Sequence, residues 1–460
     1  MSLRLRAFVL LLALVCPLPA SAAPTETAKK PQETAKKPQE SDYELYKILV
    51  DTIDQVERNY VTKVNRREVI EAAIRGVVGK LDPYSSYIGP DELGRFRSSV
   101  ENEFGGIGIQ ITFDDGQLQV LSPMYGTPAY RAGVLAGDRI LEIDGKSADG
   151  LSRDEAVEKL RGDEGTSVTL TVVHPGKEAK EKVTIKREKI HIDTVLGDHR
   201  KADGTWEYMF DAKQHVGYVR VTAFSRDTAA ELQRVLTQLQ AAKLRGLILD
   251  LRFNPGGLLS AAIEVSDLFI SEGRIVSTKG RNSPERVWDA HKEGTFAGFP
   301  MVVLVNRYSA SASEIVAACL QDHKRAAIIG ERTWGKGSVQ NVIELEDGRS
   351  ALKLTTASYR RPNGKNIHRF PDAKDTDEWG VMPDKGFEIK LSDGELVMIQ
   401  DQWLHGTVPS AAAKDATAKA AKDAAAKKPE PPAKEKEPEP SDRQLQAAVK
   451  YLTTELAKAP

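Results

Sequence analysis

Three serines at alternate positions, Ser309, Ser311 and Ser313, stand in "YSASASEIVAACLQD" (308–322), where an apolar periodicity of helical type begins. Serines in such a place have an ordinary use. Ser311-Ala312-Ser313-Glu314 fits a capping box, in which the hydroxyl satisfies a free backbone N–H and the glutamate reaches back to the cap. The same place suits a nucleophile, because the unpaired N–H groups and positive dipole end of a helix stabilise the oxyanion formed when a hydroxyl attacks a carbonyl. Capping and attack compete for one oxygen.

Attack also needs a base. His323 lies roughly 18 Å along the same predicted helix from Ser311 and is out of reach. Lys336, in "IIGERTWGKGSVQNVIEL" (328–345), is the other nearby candidate, and in an extended 336–340 it shares a face with Ser338 and Gln340. A lysine is a base only when neutral, which requires burial to lower its pKa from about 10.4. Gln340 can accept a hydrogen bond from the amine and orient it without restoring its charge.

"LILDLRFNPGG" (247–257) ends an apolar strand in a Pro-Gly-Gly turn. Such a turn is commonly plain strand-to-helix structure, but it also offers backbone N–H groups clear of side chains as oxyanion donors. Asp250 and Arg252 beside it read as a buried ion pair. Two other glycine patterns are rejected. Gly330-x4-Gly335-Lys336 has Gly337 where a phosphate loop needs Ser or Thr, and "GGIGIQ" (105–110) lacks the third glycine and following helix of a dinucleotide turn.

The elements that must position these residues follow from the wider chain. Its 460 residues are 40% hydrophobic, enough for two or three domains, and 65 Lys and Arg against 66 Asp and Glu give no basic excess to suggest nucleic acid. Arg4 and Arg6, the apolar "AFVLLLALV" (7–15) and the small-x-small Ala20-Ser21-Ala22 form a signal peptide, with cleavage expected after Ala22 and a periplasmic or cell-envelope location. Val15 before Cys16 disfavours a lipid anchor there. Cleavage leaves Cys319 as the single cysteine, a small core residue in the predicted helix.

The repeat "ETAKKPQETAKKPQE" (26–40) belongs to a solvated linker, 23–41, and 42–101 is a mainly helical segment. Residues 102–188 change to short strands, Gly turns and one helix opened by the capping box Ser152/Glu155, a compact β-rich module. From 189 to 408 the strands "HVGYVRV", "RGLILDLR", "PMVVLVN" and "RAAIIG" alternate with helical stretches 226–244, 257–270 and 311–322, the rhythm of a parallel sheet covered on both faces. "VQNVIELEDGRSALKLTTASY" (339–359) reads as a hairpin turning at Asp347-Gly348. Residues 409–440 are low complexity, and 441–460 regain helical spacing and must dock somewhere.

With these motifs in this order, "NRYSASASEIVAACLQD", "GERTWGKGSVQ" and "DLRFNPGG", together with "LDPYSSYI" (81–88), the chain resembles the C-terminal processing peptidases, or tail-specific serine proteases, over about residues 42–400. The resemblance implies an α/β, ClpP/crotonase-like protease core with an N-terminal helical segment and an inserted PDZ domain. It makes Ser311 the nucleophile, Lys336 the general base, Gln340 the residue that orients the lysine, and the backbone N–H groups of Gly257 and Ala312 the oxyanion hole.

A PDZ domain adds a peptide as an extra strand and holds its carboxylate in backbone N–H groups. The candidate loop is Gly105, Gly106, Ile107, Gly108 and Ile109, with Val157 and Leu160 as apolar wall or simply module core. Arg161 at that helix end is a candidate relay contact between the PDZ domain and the active site, although a solvated surface arginine is the commoner role for such a residue. The implied protein is an exported endopeptidase that takes proteins or peptides with accessible C-terminal tails and forms an acyl-enzyme. It needs no cofactor or metal, is expected as a homo-oligomer, and has an adaptor protein as a further candidate partner. The alternatives are a catalytically silent PDZ scaffold and a CoA-thioester enzyme on the related fold, the latter disfavoured by the leader.

Overall fold

The computed structural model describes residues 41–114, 116–407 and 441–458. The leader, most of the first linker and the 409–440 tail lie outside the described residues. The chain divides at Ile70/Glu71. In the first unit, helix Asp42–Asn59 opens with a complete Ser41/Glu44 capping box and buries none of its residues. A second helix begins at Arg66 and runs to Val78 in the next unit.

The larger unit is built on a sheet whose parallel strands Val216–Val221, Gly246–Asp250, Met301–Val305 and Ala327–Gly330 lie side by side in chain order. Short antiparallel strands Val195–Leu196 and Met209–Asp211 extend the first of them. Alternation along each strand divides the side chains between two cores. Val219, Leu249 and Val303 face helices Thr228–Ala241, Leu259–Asp267 and Ala312–Asp322. Tyr218, Ile248 and Val302 face the final helix, Arg443–Lys458, through Ala448, Leu452 and Leu456. That contact is the docking place of the C-terminal periodicity.

A second sheet carries the hairpin of Ser338–Leu345 and Ser350–Arg360, with Ser86–Ile88 and Arg274–Lys279 on the long strand. Its turn is a short 3-10 segment, Glu346–Gly348, with Asp347 in the left-handed region at φ 56°.

The β-rich module closes its own core around Leu118, Val120, Ile140, Leu170 and Val172. Strands Ile109–Asp114, Gln117–Pro123, Arg139–Ile143, Ser167–Val173 and Lys180–Lys186 form its sheet, with Ile109–Asp114 at one edge. Ser152 caps helix Arg153–Leu160 from both sides of the box. Chain enters and leaves through one antiparallel pair, Glu103–Gly106 with Glu188–His191.

Candidate active site

The site lies beyond the C-terminal ends of the parallel strands, where open α/β sheets place their crevices. The chain leaving Asp250 turns through 251–257, and the chain leaving Val305 turns through 306–311 before entering a helix. Two of the three serines tie these turns together. Ser309 Oγ donates to the Leu251 carbonyl at 2.8 Å, and Ser313 Oγ donates to the Asn254 carbonyl at 2.9 Å. Asn254 in turn donates to Val221 O and accepts the Gly256 N–H. Ser309 and Ser313 are structural.

Ser311 differs. It sits at the N-cap of Ala312–Asp322 with φ 56° and ψ −113°, a backbone a non-glycine residue adopts only when its surroundings impose it. Its hydroxyl makes no capping bond, so the oxygen that a cap would occupy is left for chemistry. The capping box is half-formed: the Ser311 N–H donates to Glu314 Oε2 at 2.8 Å. The buried Tyr359 hydroxyl is hydrogen-bonded to Ser311, and burial nevertheless pushes its pKa up to about 12, so it stays protonated.

The 256–257 turn is pressed against this serine. A Cβ on Gly256, whose φ is +102°, would stand 2.7 Å from Ser311 Cβ and 2.9 Å from Ala312 N. Among the described residues, the N–H groups of Gly257 and Ala312 donate to no partner. The Ala312 N–H lies on the face of the turn that Gly256 presents, and Gly257 is the next residue of that turn.

Lys336 is brought there by Gly335 and Gly337, which let the strand entry pass close to neighbouring chain. A Cβ on Gly337 would meet the His368 backbone. Burial lowers the Lys336 pKa first, the Lys353 charge adds to this, and Glu314 opposes it. Its ammonium lies 5.0 Å from the centre of the Tyr84 ring. Lys336, Tyr84, Phe253, Tyr308, Trp334 and Val397 line a cleft of about 690 Å³, closed on one side by helix Asp393–Gly406. No hydrogen bond joins Lys336 Nζ to Ser311 Oγ among the described residues.

Gln340 departs from expectation. The strand begins only at Ser338, so Lys336 lies before it and outside the alternation that was to align the two; the register shift between Val339 and Gln340 skips Thr356 of the partner strand. Its amide donates to Ser338 Oγ at 2.9 Å and Thr355 Oγ1 at 3.1 Å, and Thr355 in turn is bonded by Ser85 of the "LDPYSSYI" segment. Gln340 therefore belongs to a polar cluster with Ser85 and Asp82, and no hydrogen bond connects it to Lys336.

In the β-rich module the candidate loop is shorter than expected. Gly105 and Gly106 are ladder residues of the entry strand, Gly105 held against the Gly162 carbonyl and Gly106 against the Phe104 ring, and Ile109 begins the edge strand. What remains is Ile107-Gly108. Gly108 has φ +76°, its carbonyl accepts from Met124 N–H and Thr127 Oγ1, and the Ile107 side chain is buried. Leu160 is core, while Val157 is only partly covered and packs against the same core. Arg161 packs its guanidinium 4.6 Å over the Phe104 ring, on the strand that enters the module.

His191, Asp193 and Glu231 bring potential ligand atoms within 4.8 Å of one another. Glu231 Oε2 is already filled by Thr194 and Val195 N–H groups, and Oε1 by His191. Cys319 is buried, its thiol pushed up to about 12 by burial, which keeps it unreactive.

Residues 215–384 match the peptidase family S41 model, 119–173 a PDZ domain, and 18–91 the activating protease CtpB N-terminal domain. The carboxy-terminal-processing protease of Bartonella bacilliformis is 40% identical over 353 residues, 75% of this chain and 78% of that protein. The chain belongs to peptidase family S41, the carboxy-terminal-processing proteases. The carboxyl-terminal-processing protease of Synechocystis sp. is 36% identical, over 73% of this chain and 75% of the relative. A solved photosystem II D1 C-terminal processing protease is 29% identical, covers 76% of this chain and 94% of its own, with a TM-score of 0.43.

For this S41 protease the comparisons establish a serine protease with a PDZ domain on a mixed α/β fold with an N-terminal helical segment. One residue of the site was read from sequence only as a capping partner. Glu314 is fully buried and accepts from four groups of two separate segments. Its signal in the sequence was the box spacing, which reports the local bond to Ser311 and nothing of the distant three.

Proposed function

We propose that this S41 protease is an exported endopeptidase that hydrolyses peptide bonds through an acyl-enzyme on Ser311 with Lys336 as general base. The strained, uncapped Ser311 beside a half-buried lysine of lowered pKa is the observation that carries the reading. Neutral Lys336 takes the hydroxyl proton as Ser311 Oγ attacks the carbonyl carbon. The oxyanion is held by the Gly257 and Ala312 N–H groups, which need no reorganisation because they are unspent. Lys336 then returns the proton to the leaving amine, and in the second half it activates the water that releases the acyl group.

Gln340 in this scheme acts on Lys336 only through the Ser338/Thr355 cluster, or after the strand entry shifts. Substrate tails bind as an added strand along Ile109–Asp114, with the carboxylate on the Ile107-Gly108 N–H groups and Val157 against the apolar terminal side chain. The leader at 1–22 supports export. The apolar residues that helix Asp42–Asn59 leaves exposed, Tyr43, Leu45, Tyr46 and Ile48 among them, support self-association.

The test is an unfolded protein with an apolar C-terminus, offered to the mature chain, to Ser311→Ala and to Lys336→Ala. Cleavage by the parent alone is expected, slowed when the substrate's C-terminus is amidated. Equal cleavage by all three overturns the reading. The missing Ser311–Lys336 hydrogen bond favours one alternative, a silent peptide-binding scaffold, which predicts full biological function in Ser311→Ala and its loss when the Ile107-Gly108 turn is altered.

A further inference from the structure

We propose that Glu314 is the positioning residue of this active site, a buried carboxylate that fixes the backbones of nucleophile and base relative to each other. The inference rests on the reading of Ser311 and Lys336 as that pair. One oxygen, Oε2, accepts both the Ser311 N–H and the Lys336 N–H, each at 2.8 Å. The two amide nitrogens are thus held within twice that distance although 25 residues separate them in the chain. The other oxygen, Oε1, accepts the Gly335 N–H at 2.7 Å and Thr333 Oγ1 at 2.5 Å. Thr333 Oγ1 itself accepts the Val381 N–H at 2.8 Å, so the clamp is anchored on a third segment.

All four partners of Glu314 are donors, and three of them are backbone N–H groups that can do nothing else. A protonated carboxyl would find one acceptor, Thr333 Oγ1, which already accepts the Val381 N–H, and would leave the threonine hydroxyl without its carboxylate; only the ionised form accepts fully from all four donors. The geometry therefore assigns the ionised form, although burial raises the group's pKa above the ordinary carboxylate range. A glutamine of the same shape cannot replace it: its NH₂ would face donors, leaving buried groups unpaired.

The charge has a second consequence. It acts on Lys336 from the helix side against burial, while Lys353 acts from the long strand and the Tyr84 ring lies over the ammonium from the 81–88 segment. Glu314 thus costs the site some of the lysine's basic, neutral population and returns placement.

The experiment compares wild type, Glu314→Gln, Glu314→Asp, Thr333→Val and Lys336→Ala for kcat, KM and the pH profile of peptide hydrolysis. Glu314→Gln should lose about 10²-fold in kcat with KM little changed, the scale of an ångström-level misplacement. Its residual activity should have an acid limb moved to lower pH, because the opposing charge is gone. Glu314→Asp keeps the charge and so should keep the limb while losing kcat. Should Glu314→Gln fail to fold, Glu314→Asp and Thr333→Val decide: reduced kcat in both supports the clamp. Wild-type kcat and profile in the folded Glu314 and Thr333 variants, with Lys336→Ala inactive, overturn the inference alone. An active Lys336→Ala overturns instead the reading on which it rests.

Discussion

Lys336 Nζ stands 5.0 Å from the centre of the Tyr84 ring, on the wall of a cleft that Ala310, the neighbour of Ser311, also lines. An aromatic face favours an ammonium over an amine, as does the Glu314 carboxylate. Burial and the Lys353 charge act the other way, and their sum sets the lysine below its ordinary value. The Lys336 amine is therefore tuned by a balance of neighbours from three different segments, each of which can be altered singly.

The first prediction follows from that balance. In the proposed mechanism only the neutral amine accepts the serine proton, so kcat/KM should rise with pH through the lowered Lys336 pKa and then level. Lys353→Met removes a like charge, which lets the lysine hold its proton longer. The acid limb should move to higher pH, with the plateau rate little changed. Profiles of kcat/KM measured on both proteins check this, and superposable limbs would show that Lys353 does not reach the base.

A second concerns Gly256. Its φ of +102° is expensive for any side chain, and an alanine methyl would meet Ser311 Cβ, Ala310 O and Ala312 N inside normal contact distance. The backbone must move beside the proposed oxyanion donors, Gly257 and Ala312. Gly256→Ala should lose about 10² to 10³-fold in kcat, comparable to the loss of one oxyanion donor. Steady-state kinetics on the soluble variant test it. Retention of more than about a tenth of the rate would remove the turn from the oxyanion site.

The legible and illegible parts of this site separate along a physical line. Ser311 and Lys336 could be proposed as a pair because their residue types and surroundings carry chemistry in themselves, and the four parallel strands were legible because each is a near-continuous apolar run. The docking of the last helix was not readable: Ala448, Leu452 and Leu456 announce a helix, but nothing in them names Tyr218, Ile248 and Val302 as the receiving face. Glu314 hid behind a local pattern that was true but incomplete. The alignment of Gln340 with Lys336 rested on an extended run assumed to begin at 336, whereas the strand begins at Ser338, a boundary that no residue type marks. Arg252 was read as half of a pair with Asp250. It also donates to Asp442 and Gln444 at the start of the final helix, and Trp403 lies 5.4 Å from it, contacts made across the fold.

The third prediction tests that last helix. Leu452 is fully buried against the sheet, so Leu452→Ala should cost about 2 to 5 kcal/mol by lost transfer energy and cavity. Asp442→Ala should also destabilise, because Arg252, itself 1% exposed, would lose one of its two carboxylates. Urea midpoints with unchanged m-values measure both. If neither variant shifts the midpoint, the helix is a passenger on the sheet.

The fourth prediction lies in the PDZ domain and turns on His174. Its Nδ1 is 2.7 Å from the buried Asp138 and its Nε2 is 3.1 Å from Glu181. The hydrogen bond with Asp138 raises the imidazole pKa most, against the burial that would lower it, and the Asp138 charge and Glu181 add to the rise. The folded domain thus prefers the protonated ring. A folded pKa above the unfolded one gives stability that is fully present below the ordinary value of about 6.5 and is lost as pH rises through the raised value. Protection of the Ser167–Val173 amides from hydrogen exchange, corrected for intrinsic rates, should therefore fall as pH rises through that interval. In His174→Gln, which can still bond to Asp138 but carries no titrating charge, the fall should vanish. An equal fall in both proteins would place the pH dependence elsewhere in the domain.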